Sequence, residues 1–243
     1  WLAAGFDKDL NLCQLVWDIW FWFEEVWSIT MFPYEGNPWK RLVRLKKSQW
    51  LIVNYWLKNK GVGYAIDRLK SFSPKVPIFV SVAKTNCIKT CDIEEWIADM
   101  VGCYEQISQN WIWNAIVLNI SCPNSFWWED FAKPDLLRRV LLDINKLWVS
   151  KPIFVKLPID KTSQELIELT QVVIEGWGEW VIVSKQIKNR ENIIEKKDIS
   201  DQPGWISWKP TIDRSGFLIG ELYQHFWSRI VIVWVGGIFS AED

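Results

Sequence analysis

Two alternating patterns limit what this chain can fold into. Six apolar runs rich in β-branched residues recur along it: "FEEVWSI" (23–29), "IFVSVA" (78–83), "AIVLNIS" (115–121), "IFVKL" (153–157), "WVIVS" (180–184) and "IVIVWV" (230–235), with "LAAGF" (2–6) as a candidate seventh. Few alternate apolar with polar, as they would if one face were wet, so they suit strands covered on both sides of a parallel sheet. Between them lie amphipathic stretches. Residues 91–108 open on Asp92 as an N-cap, 133–147 carry Pro134 in the first turn, and 162–176 start from a Ser163 cap and stop at Gly176. Strand and helix in turn predict βα units. The expected class is α/β, a (β/α)8 TIM barrel forming one domain over 1–243, lacking its last unit and truncated at both ends. An open doubly wound sheet is the alternative that periodicity leaves.

Length and charge narrow the function. At 243 residues the chain suffices for one large core, and a net charge of -1 without a basic run argues against nucleic acid as a partner. No run of eighteen apolar residues predicts a membrane span, and the abrupt start "WLAAGFDKD" suggests a missing N-terminal segment. The five cysteines (13, 87, 91, 103, 122) have no metal-ligand spacing, so no metal site is expected; their odd number suits a reducing compartment. One histidine, His225 in a helical "ELYQHFW", and no nucleophile elbow argue against a serine hydrolase. Residues 31–77 break the rhythm with a short basic strand-like piece (41–45) and Asn- and Gly-rich loops, an insertion long enough to be functional.

In a βα barrel the chemistry gathers where strands end. Those ends read "AAGFDK", "SIT", "SVAKTN", "NISCPNS", "VKLP", "VSKQ" and "VGG". In "LNISCPNS", Asn119 and Asn124 offer paired donors and acceptors for a planar heterocycle, and Pro123 fixes the turn. Cys122 is either an acid–base group, since a free thiol titrates at about 8.5, or a structural cysteine in a turn.

"AAGFDKD", "NISCPNS", "VKLP" and "VGGI", in this order over nearly the whole chain, resemble the FMN-dependent dihydroorotate dehydrogenase family of pyrimidine biosynthesis. "AAGFDK" with "SIT", "GNP" and "RL" resembles its membrane-associated, quinone-using class. The resemblance implies oxidation of dihydroorotate to orotate on FMN held at the C-terminal mouth. Ala4 and Gly5 would let backbone approach the flavin, with Ser28, Ser81 and Ser184 beside it. Asn119 would touch flavin and substrate, and Lys156 would stabilise the reduced flavin's negative charge. Gly236 and Gly237 would hold the phosphate. Lys8, Asn54, Asn124 and Lys185 would contact substrate, and Cys122 would be the base. It also implies a cytoplasmic protein, peripheral on the inner face of the cell membrane. Alternatives are another FMN-barrel pyrimidine oxidoreductase and a non-catalytic barrel.

The departures are specific. The quinone class has Ser where Cys122 stands, so quinone, fumarate and NAD remain alternative acceptors. The family's substrate Asn aligns with Val53, leaving Asn54 displaced by one. Lys185 replaces a substrate-binding Asn, and Ser81 replaces an Asn. Above all, there are 20 Trp against 12 Gly, reversing the usual order. Trp1, Trp17, Trp20, Trp22, Trp27, Trp50, Trp56, Trp205, Trp208 and Trp234 align with family glycines. The expectation is that a UGA codon meaning glycine has been rendered as tryptophan, and that a chain with these indoles would fold poorly and bind no flavin.

Overall fold

The computed structural model describes residues 1–38, 40–110, 113–120, 132–183, 186–191, 193–195, 199, 202–240 and 242. Six of the apolar runs form one parallel sheet. Its strands are β1 (Glu24–Ile29), β4 (Ile78–Val82), β5 (Ala115–Asn119), β6 (Ile153–Lys156), β7 (Trp180–Val183) and β9 (Val231–Trp234), in spatial order β1-β4-β5-β6-β7-β9. Leu2 adds an isolated parallel bridge to Glu24, where the seventh run was expected. Helices α2 (Ile93–Ser108), α3 (Pro134–Asn145), α4 (Ser163–Glu175) and α5 (Ile212–Phe226) connect the strands, and α1 (Gly61–Lys70) leads into β4.

The sheet is rolled. Neighbouring strands lie about 4.8 Å apart, so in a flat sheet β1 and β6, with two strands between them, would be roughly 14 Å apart. Yet Glu25 of β1 and Lys156 of β6 form an ion pair. Aromatic rings run round the inside of the arc: Trp1 on Phe23 (centroids 5.2 Å), Phe23 on Phe79 (4.8 Å), Phe79 on Phe154 (4.9 Å) and Phe154 on Trp180 (4.7 Å). Among the described residues the strands make an open arc of a barrel rather than a closed one. Its interior core is Ala115, Val117, Phe154 and Ile182. A larger core on the outside packs the alternate residues, such as Ile116, Leu118 and Val155, against Leu137, Leu141, Leu166 and Leu169 of the helices.

The 31–77 insertion builds a second sheet. β2 (Leu42–Leu45) and β3 (Trp50–Val53) pair antiparallel, and β8 (Trp205–Trp208) adds to β3. This sheet has its own small core of Leu45, Trp50, Ile52, Ile193, Ile199 and Ile206.

The helix caps agree with the sequence reading except at one place. Asp92 accepts the Glu95 N–H at 2.9 Å, and Pro134 opens α3. For α4 the cap is Thr162, not Ser163. Thr162 Oγ1 accepts the Glu165 N–H at 3.2 Å, while the Glu165 carboxylate accepts the Thr162 N–H at 2.8 Å. Only the residue three before Glu165 can close that reciprocal box, which puts Ser163 inside the first turn. His225 is exposed in the last turn of α5.

Ten non-glycine residues have a positive φ among those described, and six are tryptophans: Trp20 (68°), Trp56 (50°), Trp148 (53°), Trp177 (62°), Trp208 (82°) and Trp227 (48°). Trp208 (ψ -139°) and Trp227 (ψ -122°) lie outside even the left-handed helical region, where glycine alone is at ease. Such positions cost an L-residue about 1–3 kcal/mol each. Trp20, Trp56 and Trp208 were expected on family grounds; Trp148, Trp177 and Trp227 extend the set through backbone geometry alone. Trp50 behaves otherwise: it is 7 % exposed in β3 and serves as a core residue.

Candidate functional site

All six strands point the same way, so their C-terminal ends share one rim. Three polar side chains meet there. Ser28 and Ser81 are joined at 2.9 Å, and the Asn119 amide donates to Ser28 Oγ at 2.7 Å. All three are buried. Ser28 reaches this position through a register irregularity between Val26 and Ile29 of β1. Strict alternation from Glu25, whose side chain points into the arc, would turn Ser28 outward. Beside Asn119 in the sheet, Lys156 ends β6, and its buried ammonium donates to Glu25. A buried donor–acceptor cluster on an otherwise apolar wall suits the polar edge of a flat ligand.

The N-terminal loop supplies a second part. Lys8 donates to the Gly5 carbonyl, and its ammonium lies 4.1 Å from the Trp27 ring centre and 4.3 Å from that of Tyr55. Burial pushes the Lys8 pKa down to about 8, against the charges of Asp7 and Asp9. Asp7 is a loop anchor rather than a surface partner of Lys8: it is buried, and its carboxylate accepts the Asn11 and Leu12 N–H groups at 2.8 Å each. Ala4 is half-buried. Asn54 is buried, and its side-chain oxygen accepts from the Asn37 amide at 2.6 Å, so at that position a side-chain carbonyl is held in place.

Beyond β9, Gly236 (φ 89°) and Gly237 (φ 80°) are consecutive left-handed residues. A Cβ on Gly237 would come within 3.0–3.1 Å of Ile212, the first residue of α5. The loop therefore needs glycine to lie against that helix N-terminus, where backbone N–H groups favour an anion. Cys122, Asn124, Ser184 and Lys185 lie outside the described residues.

Sequence reading missed two acidic residues. Glu25 faces Lys156. Glu24, on the other face of β1, is fully buried with both carboxylate oxygens unpartnered. Its pKa rises to about 7, chiefly through burial and then through the charge of Asp7. Burial also pushes the Cys13 thiol up, and Cys13 Sγ donates to Asp7 Oδ2 at 3.5 Å. The available signal was "EE" inside an apolar strand, which puts one carboxylate on each face.

The residues present fit FMN in kind. The rim has an amide, two hydroxyls and an ammonium for a heterocycle edge, and the glycine pair has N–H groups for a phosphate. Trp27 does not fit. Its ring lies 3.9 Å from where a Gly5 Cβ would be, under Lys8, and its buried indole N–H has no partner.

A rolled parallel sheet flanked by helices, with a polar cluster on its C-terminal rim, is the architecture of an α/β-barrel protein. The chain belongs to the dihydroorotate dehydrogenase family, whose sequence model matches residues 1–243. It is 29 % identical over 242 residues to the dihydroorotate dehydrogenase (quinone) of Mycolicibacterium smegmatis, covering all of this chain and 67 % of that protein. It is 31 % identical over 246 residues to the enzyme of the same name from Christiangramia forsetii, covering all of this chain and 70 % of that protein. The crystal structure of DHODH from Eimeria tenella in complex with ferulenol superposes with a TM-score of 0.86 at 22 % identity, covering 98 % of this chain and 69 % of that one. The fold is thus of the dihydroorotate dehydrogenase barrel type.

Proposed function

We propose that the protein oxidises dihydroorotate to orotate in pyrimidine biosynthesis, with FMN as cofactor and a quinone as the electron acceptor. Family membership over the whole chain is the observation that carries this reading, and relatives named for the quinone favour that acceptor over fumarate or NAD. FMN, when bound, supplies the two-electron acceptor for the hydride leaving the substrate ring. Asn119 and Asn124 orient that ring, Lys8 lies over the substrate side, and the Cys122 thiolate takes the neighbouring ring proton. Lys156 places a positive charge where reduction develops a negative one. Gly236 and Gly237 would offer backbone N–H groups to the phosphate, while Ala4, Gly5, Ser28, Ser81 and Ser184 would hold the flavin. Asn54 and Lys185 complete the substrate contacts. No helix among the described residues is long and apolar enough to cross a membrane; the reading is of a cytoplasmic-side, peripheral enzyme.

The same reading gives the working protein glycine at the UGA-derived positions other than Trp50, which packs as a core residue, with Trp27 the indole most directly in the way. Its support is that, among the described residues, tryptophan fills six of the ten non-glycine positions with positive φ. Two measurements test the proposal. Mass spectrometry of the native protein is expected to find glycine at 27, 177 and 208; tryptophan there ends the recoding. The glycine-carrying protein is expected to be yellow and to form orotate with a soluble quinone. A folded, colourless protein would point to a non-catalytic barrel.

A further inference from the structure

Glu25 belongs to none of the strand-end motifs, yet it sits deep in the site. It projects from β1 into the arc with no exposure, and its Oε1 receives the ammonium of Lys156, itself 4 % exposed. Its other oxygen, Oε2, is buried without a partner. The surrounding interior is apolar, built from Ala115, Val117, Phe154 and Ile182. Two charges taken out of water here gain little over two apolar side chains of similar size, so stability alone does not account for the pair. Lys156 neighbours Asn119 in the sheet and so stands at the rim. Glu25, the second residue of β1, pairs with Phe79, the second residue of β4, and so lies nearer the N-terminal ends of the strands.

We infer that Glu25 is a positioning residue that acts through Lys156, drawing its ammonium into the arc and offsetting its charge. This rests on the flavin reading above. A negative charge developing at the rim must then compete with Glu25 for the ammonium. Glu25 thereby holds the midpoint potential of bound flavin below the value that an uncompensated lysine would set.

The test measures midpoint potentials of FMN bound to the glycine-carrying protein, chosen as parent so that the indoles do not compete, and to variants made on it. Glu25→Gln is expected to raise the potential, Glu25→Asp to raise it less, and Lys156→Met to lower it. In the Lys156→Met background, Glu25→Gln is expected to change nothing further, because its route of action is gone. A Glu25→Gln potential equal to the parent's overturns the inference, as does an equal shift when Lys156 is absent. If Glu25→Gln does not fold, Glu25→Asp decides by the same comparison. A folded parent without flavin removes the flavin reading and this inference together; bound flavin with an unresponsive potential removes only this inference.

Discussion

Replacing Trp177 with glycine is expected to stabilise the protein, and the geometry at the end of α4 gives the amount. The Trp177 N–H donates to the Ile174 carbonyl at 3.2 Å, and the Gly178 N–H donates to the Val173 carbonyl at 2.8 Å. These are the two bonds of a Schellman ending, with Trp177 (φ 62°) at the left-handed position where glycine is usual. The left-handed backbone costs an L-residue about 1–2 kcal/mol. Little packing is lost in return, since Trp177 is 76 % exposed. Glycine's greater freedom in the unfolded chain offsets about 0.5–1 kcal/mol. The net gain is therefore about 0.5–1 kcal/mol, or roughly 1–4 °C in Tm for a chain of this size. Urea unfolding should show a higher midpoint at unchanged slope. Trp177→Ala keeps the wrong backbone preference and should gain nothing. Trp50→Gly empties a core position and should lose about 3–5 kcal/mol. If Trp177→Gly falls at or below the parent, or Trp177→Ala gains as much, the backbone argument fails. Trp148→Gly should not add cleanly to it, because the Asn145 amide joins the two helix ends through a 3.1 Å bond to the Gly176 carbonyl.

Three further outcomes follow from single sites. Thr162→Ala should cost about 1 kcal/mol by removing the α4 cap, while Ser163→Ala should be near neutral; urea midpoints separate them. Glu24 is held near 7 rather than 4.5, so the folded protein binds this proton more tightly than the unfolded chain does. The stability it contributes is whole below pH 4.5 and is lost as the pH rises through about 7; Glu24→Gln should flatten the fall in urea midpoint between pH 5 and 8. Lys8, pushed down to about 8, loses its charge as the pH rises past that value. The KM for dihydroorotate should therefore climb between pH 7 and 9 in the flavin-loaded protein and stay level in Lys8→Arg.

The strands and most helix ends were legible because their causes are local. Unalternating β-branched runs mean burial on both faces, and Asp92, Pro134 and Gly176 act within one turn of where they stand. The Thr162 cap was misread by one residue because Thr and Ser are both good caps, and only the reach to Glu165 distinguishes them. The three-stranded sheet was not legible: β8 pairs with β3 across some 150 residues, a distance over which no local pattern carries register.

The site divides in the same way. Strand-end motifs, and the family resemblance they carry, marked Ser28, Ser81, Asn119, Lys156 and the Gly236–Gly237 pair, and the excess of tryptophan over glycine was visible in the composition. The tertiary structure decided which of these groups meet. It took an irregular β1 to turn Ser28 inward to Ser81 and Asn119, and a rolled sheet to bring Glu25 against Lys156 from strands that a flat sheet would hold apart. Backbone angles then showed which tryptophans stand where only glycine is at ease. Local sequence sets what each residue can do; the curvature of the sheet sets what it can reach.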